Sequence, residues 1–143
     1  MISDLRVDIG DDGTPQRLTD TQYAAIVAKA ARRLNRELSL SAGAAITVDA
    51  SGEITSSDPN GYFYDLTLLQ AECMIAKREF NTELAGGGAG IYVNDGEQTL
   101  DNRNAAQART SFFNSDSSPC EELKEALDEY KLERSADFGK CIW

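Results

Sequence analysis

A chain of 143 residues with 24 acids, 14 bases and no histidine is one domain's worth of sequence, and its 41% hydrophobic content speaks against wholesale disorder. A formal charge of −10 opposes a nucleic-acid reader held by phosphate neutralisation, which needs a surplus of Lys and Arg. Without histidine, Ser-His-Asp and Cys-His catalysis and imidazole zinc sites are excluded.

The first 18 residues are acidic and broken by glycine. Ile2, Leu5, Val7 and Ile9 predict a short helix, and Gly10-Asp11-Asp12-Gly13 a turn after it. Thr19 with Gln22 three residues later forms a capping-box pattern, and Leu18 and Tyr23 are spaced as a hydrophobic staple. They open a helix over about 20–38 with Tyr23, Ile26, Val27, Ala30, Leu34 and Leu38 on one face. Lys29, Arg32, Arg33 and Arg36 lie on the opposite face, a basic stripe in an acidic chain. Residues 45–55 carry two short β-branched runs around Asp49-Ala50-Ser51-Gly52 and read as a hairpin.

Asp58-Pro59 is expected to open the longest helix, with proline in its first turn. There Tyr62, Leu66, Leu69, Cys73, Ala76, Phe80 and Leu84 recur at a near-heptad step. Leu68, Ala71, Met74 and Ile75 lie on other sides, so this helix is either central in the domain or shared with a neighbouring subunit. Asp65, Glu72, Glu79 and Glu83 make an acidic stripe along it, a candidate partner for the basic stripe within one chain or between two. Gly86-Gly87-Gly88 ends the helix, residues 91–100 are β-like around an Asn-Asp-Gly turn, and Asp101 opens a helix through Phe113. Ser118-Pro119-Cys120-Glu121 opens the last helix, about 119–134, with Leu123, Ala126, Leu127 and Tyr130 as its apolar strip. Residues 135–143 show no period and end on the apolar pair Ile142 and Trp143.

Chemistry-bearing patterns are sparse. Cys73, Cys120 and Cys141 show no C-x-x-C spacing; Cys73 reads as a small buried hydrophobe and the compartment as reducing. Asp8-x-Gly10-x-Asp12-Gly13 has the start of a calcium loop, but Thr19 stands where a bidentate Glu is needed, so a solvated turn is preferred. The glycine run at 86–90 follows a helix and leads into a strand, the reverse of a phosphate loop. No secretory leader pattern and no apolar run of membrane-spanning length is present, so a soluble protein made in the cytoplasm is expected. The reading is of a non-enzyme with no cofactor and no metal.

The order of features resembles the head-tail connector (adaptor, or neck) proteins of tailed bacteriophages. The resemblance rests on the short acidic helix, on Leu18-Thr19-Asp20 opening a helix with paired arginines, and on Asp65-Leu66-Thr67-Leu68-Leu69-Gln70-Ala71. It rests also on Gly90 to Asp101 running into a helix, and it spans roughly residues 2–134. It implies a mainly α subunit: a small helical bundle around a long central helix, with the short β-hairpin and an extended C-terminal tail. Residues 1–134 would form the connector domain and 135–143 a docking tail. The implied role is a structural virion protein at the head-tail interface, forming a ring of about a dozen copies between the portal protein and the next neck or tail component. Genomic DNA would pass through its lumen without specific binding. Leu132, Phe138, Ile142 and Trp143 are the implied portal-docking residues. A dozen chains would carry on the order of −120 charges, which would keep DNA phosphates from sticking. Lys29, Arg32, Arg33 and Arg36 would then sit at the seam against a neighbour's Asp65, Glu72 and Glu79. The alternatives are an acidic stand-alone DNA mimic and another neck layer, such as a head-completion or tail-terminator protein.

Overall fold

A computed structural model describes residues 1–85, 93–94, 97–98 and 118–140, with side chains described over 1–79 and 118–136. Among these residues the chain is mainly helical: α1 (Ile2–Asp8), α2 (Asp20–Glu37), α3 (Tyr62–Ala85) and α4 (Pro119–Lys140). Two residue pairs, β1 (Val93–Asn94) and β2 (Glu97–Gln98), run antiparallel with Val93 opposite Gln98. The helix expected from Asp101 to Phe113 and the glycine run at 86–90 lie outside the described residues.

The α2 boundary follows from its cap. Thr19 Oγ1 accepts from the Gln22 N–H at 3.3 Å while the Gln22 side chain accepts from the Thr19 N–H at 2.9 Å, which satisfies two helix-end groups reciprocally. Pro59 does not open α3. It lies in a turn, and the helix begins after Gly61, whose φ of +75° is a left-handed conformation glycine adopts without a Cβ penalty. Asp58 still caps α3 from outside, its carboxylate accepting the N–H groups of Phe63 and Tyr64 at 3.1 and 2.8 Å. Ser118 starts α4, its Oγ accepting from the Cys120 N–H at 3.3 Å.

The hairpin expected over 45–55 is not formed. The segment closes on a single antiparallel bridge, Val48 with Ile54, and makes no strand. Its turn is instead held by a side chain: Asp49 Oδ1 accepts from the N–H groups of Ser51 and Glu53, both at 2.9 Å. Val48 and Ile54 pack against the core from this turn, flanked by two backbone bonds, Asp49 N–H to the Glu53 carbonyl and Thr55 N–H to the Thr47 carbonyl, too few to make strands.

Helix α3 is the centre of the bundle. Leu66 and Cys73 pack with Ala31, Leu34 and Leu38 of α2 and with Leu123 and Leu127 of α4. Ala71 and Ile75, on another side, pack with Leu5 of α1 and with Tyr23, Val27 and Ala30 of α2. The described apolar positions on two faces of α3, from Phe63 to Ile75, are thus packed against its own chain.

Two expectations at α4 are corrected. Cys73 is not a free thiol: it is joined to Cys120, 47 residues away, with the Cα atoms 4.7 Å apart. Nor is the C-terminal segment extended from residue 135, because α4 continues to Lys140. No proline interrupts it, and Ser135 Oγ donates to the Leu132 carbonyl at 2.7 Å, as a side chain on a continuing helix does. The disulfide near the start of α4 and Tyr130 against Tyr62 and Phe63 show that α3 and α4 run antiparallel. Tyr130 packs on the first turn of α3, and Glu133 is hydrogen-bonded to Tyr62 there. Beyond Glu133 the helix runs on for about 10 Å, at 1.5 Å per residue.

Candidate functional site

Among the described residues the two charged stripes do not meet; the side chain of Glu83 lies outside them. Lys29, Arg32, Arg33 and Arg36 are all exposed on α2, and among the described residues none of them is in an ion pair. The acidic stripe of α3 is turned towards the N-terminal segment instead. Glu79 Oε1 accepts from Arg17 Nη1 at 2.8 Å. Glu72 is half-buried beside Asp8 of α1, and its pKa is pushed up to about 7, first by burial and then by the Asp8 carboxyl. Asp65 is exposed.

The basic stripe continues into a groove between α2 and α4 of about 430 Å³. Arg33, Lys77, Lys124 and Lys131 line it, with Glu37 and Asp128 among them. Lys131 Nζ stands 3.6 Å from Glu37 Oε1, and Lys124 Nζ is 2.7 Å from Glu121 Oε1. The Cys73–Cys120 disulfide borders the same groove. Sequence reasoning separated Arg33 from the α4 lysines because nothing in spacing alone places α4 beside α2.

On the other side of α4, Glu122, Glu125 and Glu129 form an exposed acidic ridge. Further along, Leu132 is 70% exposed, as Val7 of α1 is to 62%. Of the other docking candidates, Phe138 falls within α4, while its side chain and the whole of Ile142 and Trp143 lie outside the described residues.

One polar cluster was not anticipated. Asp11, 3% exposed, accepts from Tyr23 Oη at 2.6 Å and from the N–H groups of Arg17 and Leu18 at 2.7 and 3.2 Å. Arg6 lies over the Tyr23 ring, 3.3 Å from Asp11 Oδ2 and 2.6 Å from Asp20 Oδ1. The Tyr23 hydrogen bond, followed by the Arg17 N–H, holds the Asp11 carboxyl down to about 2. Burial, reinforced by Asp11, pushes Tyr23 up to about 12. This is a clamp that fixes the 9–18 segment on α2. Among the described residues no group of three or more Cys, Asp or Glu side chains is placed to hold a metal ion, and no helix is long and apolar enough to cross a membrane.

No family model, curated protein or solved structure matches the chain. The functional reading therefore rests on its surfaces: a basic groove, an acidic ridge and a projecting helix.

Proposed function

We propose that this chain is a structural subunit of a bacteriophage neck, assembling as a ring beneath the portal and presenting the end of α4 to it. The observation that carries the reading is the projection of α4: every described residue from Lys131 to Ala136 is exposed, Leu132 among them. An amphipathic bundle seldom leaves a helix standing past its core unless another surface covers it. In this reading Leu132, Phe138, Ile142 and Trp143 dock on the portal, and large apolar side chains of this kind dominate interface energy once buried. The bases of α2, which make no ion pair among the described residues, face the neighbouring copy in this reading.

The test is incorporation into particles. A chain lacking residues 138–143 should fold, yet be missing from purified virions by mass spectrometry while portal and capsid remain. Truncated subunits present at wild-type abundance would remove the docking role.

A further inference from the structure

We infer that the basic groove between α2 and α4 receives the acidic ridge of α4, Glu122, Glu125 and Glu129, from a second copy of this chain, joined head to tail. The inference deepens the connector reading and shares with it the premise of assembly from identical copies. It replaces the sequence-based choice of Asp65, Glu72 and Glu79 as the acidic side of the seam, since Glu79 is held by Arg17 and Glu72 is half-buried beside Asp8.

Both faces are complete in one chain, and although Lys124 pairs with Glu121 and Lys131 with Glu37, the groove lining keeps a positive surplus. The groove holds four cations against Glu37 and Asp128, an excess of positive charge in a molecule of net −10. Arg33 at its edge has no ion-pair partner among the described residues, and neither do the three glutamates of the ridge. The spacings match. Lys124 and Lys131 are two turns apart on α4, as are Glu122 and Glu129, so each row spans about 10 Å at 1.5 Å per residue.

Position around α4 decides the kind of assembly. At 100° per residue the ridge lies roughly 150° from the two lysines, on the far side of the helix. A chain therefore cannot fill its own groove, and two copies cannot fill each other's at once. Each copy engages one neighbour through the groove and another through the ridge. That is a heterologous contact, which closes into a ring or continues as a filament. A DNA duplex fits less well than a helix: its two rows of phosphates would press against Glu37, Asp128 and Glu121, whereas a helical ridge offers one row.

The test uses the full chain. Unlabelled and nitrogen-15-labelled copies are mixed at low ionic strength and treated with a carbodiimide, which couples lysine amines to carboxylates at contact distance. Mixed-label peptides joining Lys124 or Lys131 to Glu122, Glu125 or Glu129 are expected, and they should vanish near 1 M salt, where the Debye length is about 3 Å. The charge-swapped chains E125K/E129K and K124E/K131E, each checked for wild-type melting, should each lose self-association in sedimentation by roughly tenfold or more. Mixed together they should recover it, since each then carries the ridge that suits the other's groove. Mixed-label links mapping elsewhere, the absence of any, or a swapped chain that associates like wild type would overturn the pairing. Docking through the end of α4 is read separately in particles, so either idea can fail while the other stands.

Discussion

At the scale of single residues, the clamp of Arg6, Asp11 and Tyr23 shows how an acidic N-terminal segment is held against a helix. Asp11 is buried yet charged, which is tolerable only because a phenol, two backbone N–H groups and two guanidinium groups face it. The Tyr23 hydrogen bond first, then the Arg17 N–H, holds the Asp11 carboxyl down to about 2, below the ordinary 3.8. A carboxylate whose pKa is lower in the folded than in the unfolded chain stabilises the fold above the unfolded value. That contribution fades as pH falls from about 4 towards 2. The Tyr23 hydroxyl is the largest cause of the shift, so Tyr23→Phe should act in two ways. At neutral pH it should cost about 2 kcal/mol, the value of a buried hydrogen bond to a charged group. In acid that penalty should shrink, because the wild type loses the Asp11 contribution as pH falls from about 4 towards 2 while the variant, its Asp11 pKa nearer the unfolded value, has less to lose. Urea titrations at pH 7 and pH 3 would read both effects; a penalty of the same size at both would show that Tyr23 does not hold the Asp11 proton off.

Among the elements, α2 was legible in full because its cap, its apolar face and its basic face all have local causes. The position of α3 was legible in kind, since apolar residues on two sides require a central helix, although its first turn was misplaced by three residues through Pro59. Where the sequence failed, the cause was tertiary. Val48 and Ile54 have the composition of strand residues, but their burial beneath α2 and α3 needs only one bridge. Cys73 and Cys120 lie far apart in sequence, and only the antiparallel fit of α3 and α4 brings their Cα atoms to 4.7 Å. An odd cysteine count hid a pair that topology makes. The bond ties α4 to the middle of α3 near one end of a helix otherwise held by Leu123, Leu127 and Tyr130. Closing a loop of 47 residues' separation removes unfolded-state entropy worth about 4 kcal/mol in the chain-entropy account. Cys73→Ala with Cys120→Ala should therefore lower stability by about 3–4 kcal/mol while helix content at 20 °C stays near wild type. A loss below about 1 kcal/mol in denaturant titration would mean that packing alone sets the α3–α4 contact.

For the whole molecule, what matters is how little of α4's far end the bundle uses. The core is shared among α1, α2, α3 and the first three turns of α4, and Tyr130 against Tyr62 and Phe63 is its last described apolar contact along that helix. Past Lys131 the described side chains are all exposed, Glu133 being held to Tyr62 by a hydrogen bond, and exposed residues away from such contacts contribute within about 0.5 kcal/mol of zero to folding. Removing residues 135–143 should then leave urea stability unchanged to within about 0.5 kcal/mol, although Phe138, Ile142 and Trp143 are among the largest apolar side chains in the chain. Hydrophobic residues of that size, buried in their own bundle, would each contribute about 1.5–3 kcal/mol. The two outcomes are well separated, and they bear on different molecules. Unchanged stability leaves those side chains available to an outside partner, as a docking helix requires. A loss of several kcal/mol would mean that the C-terminal residues fold back on their own core, and the portal-facing role of α4 would have to be given up.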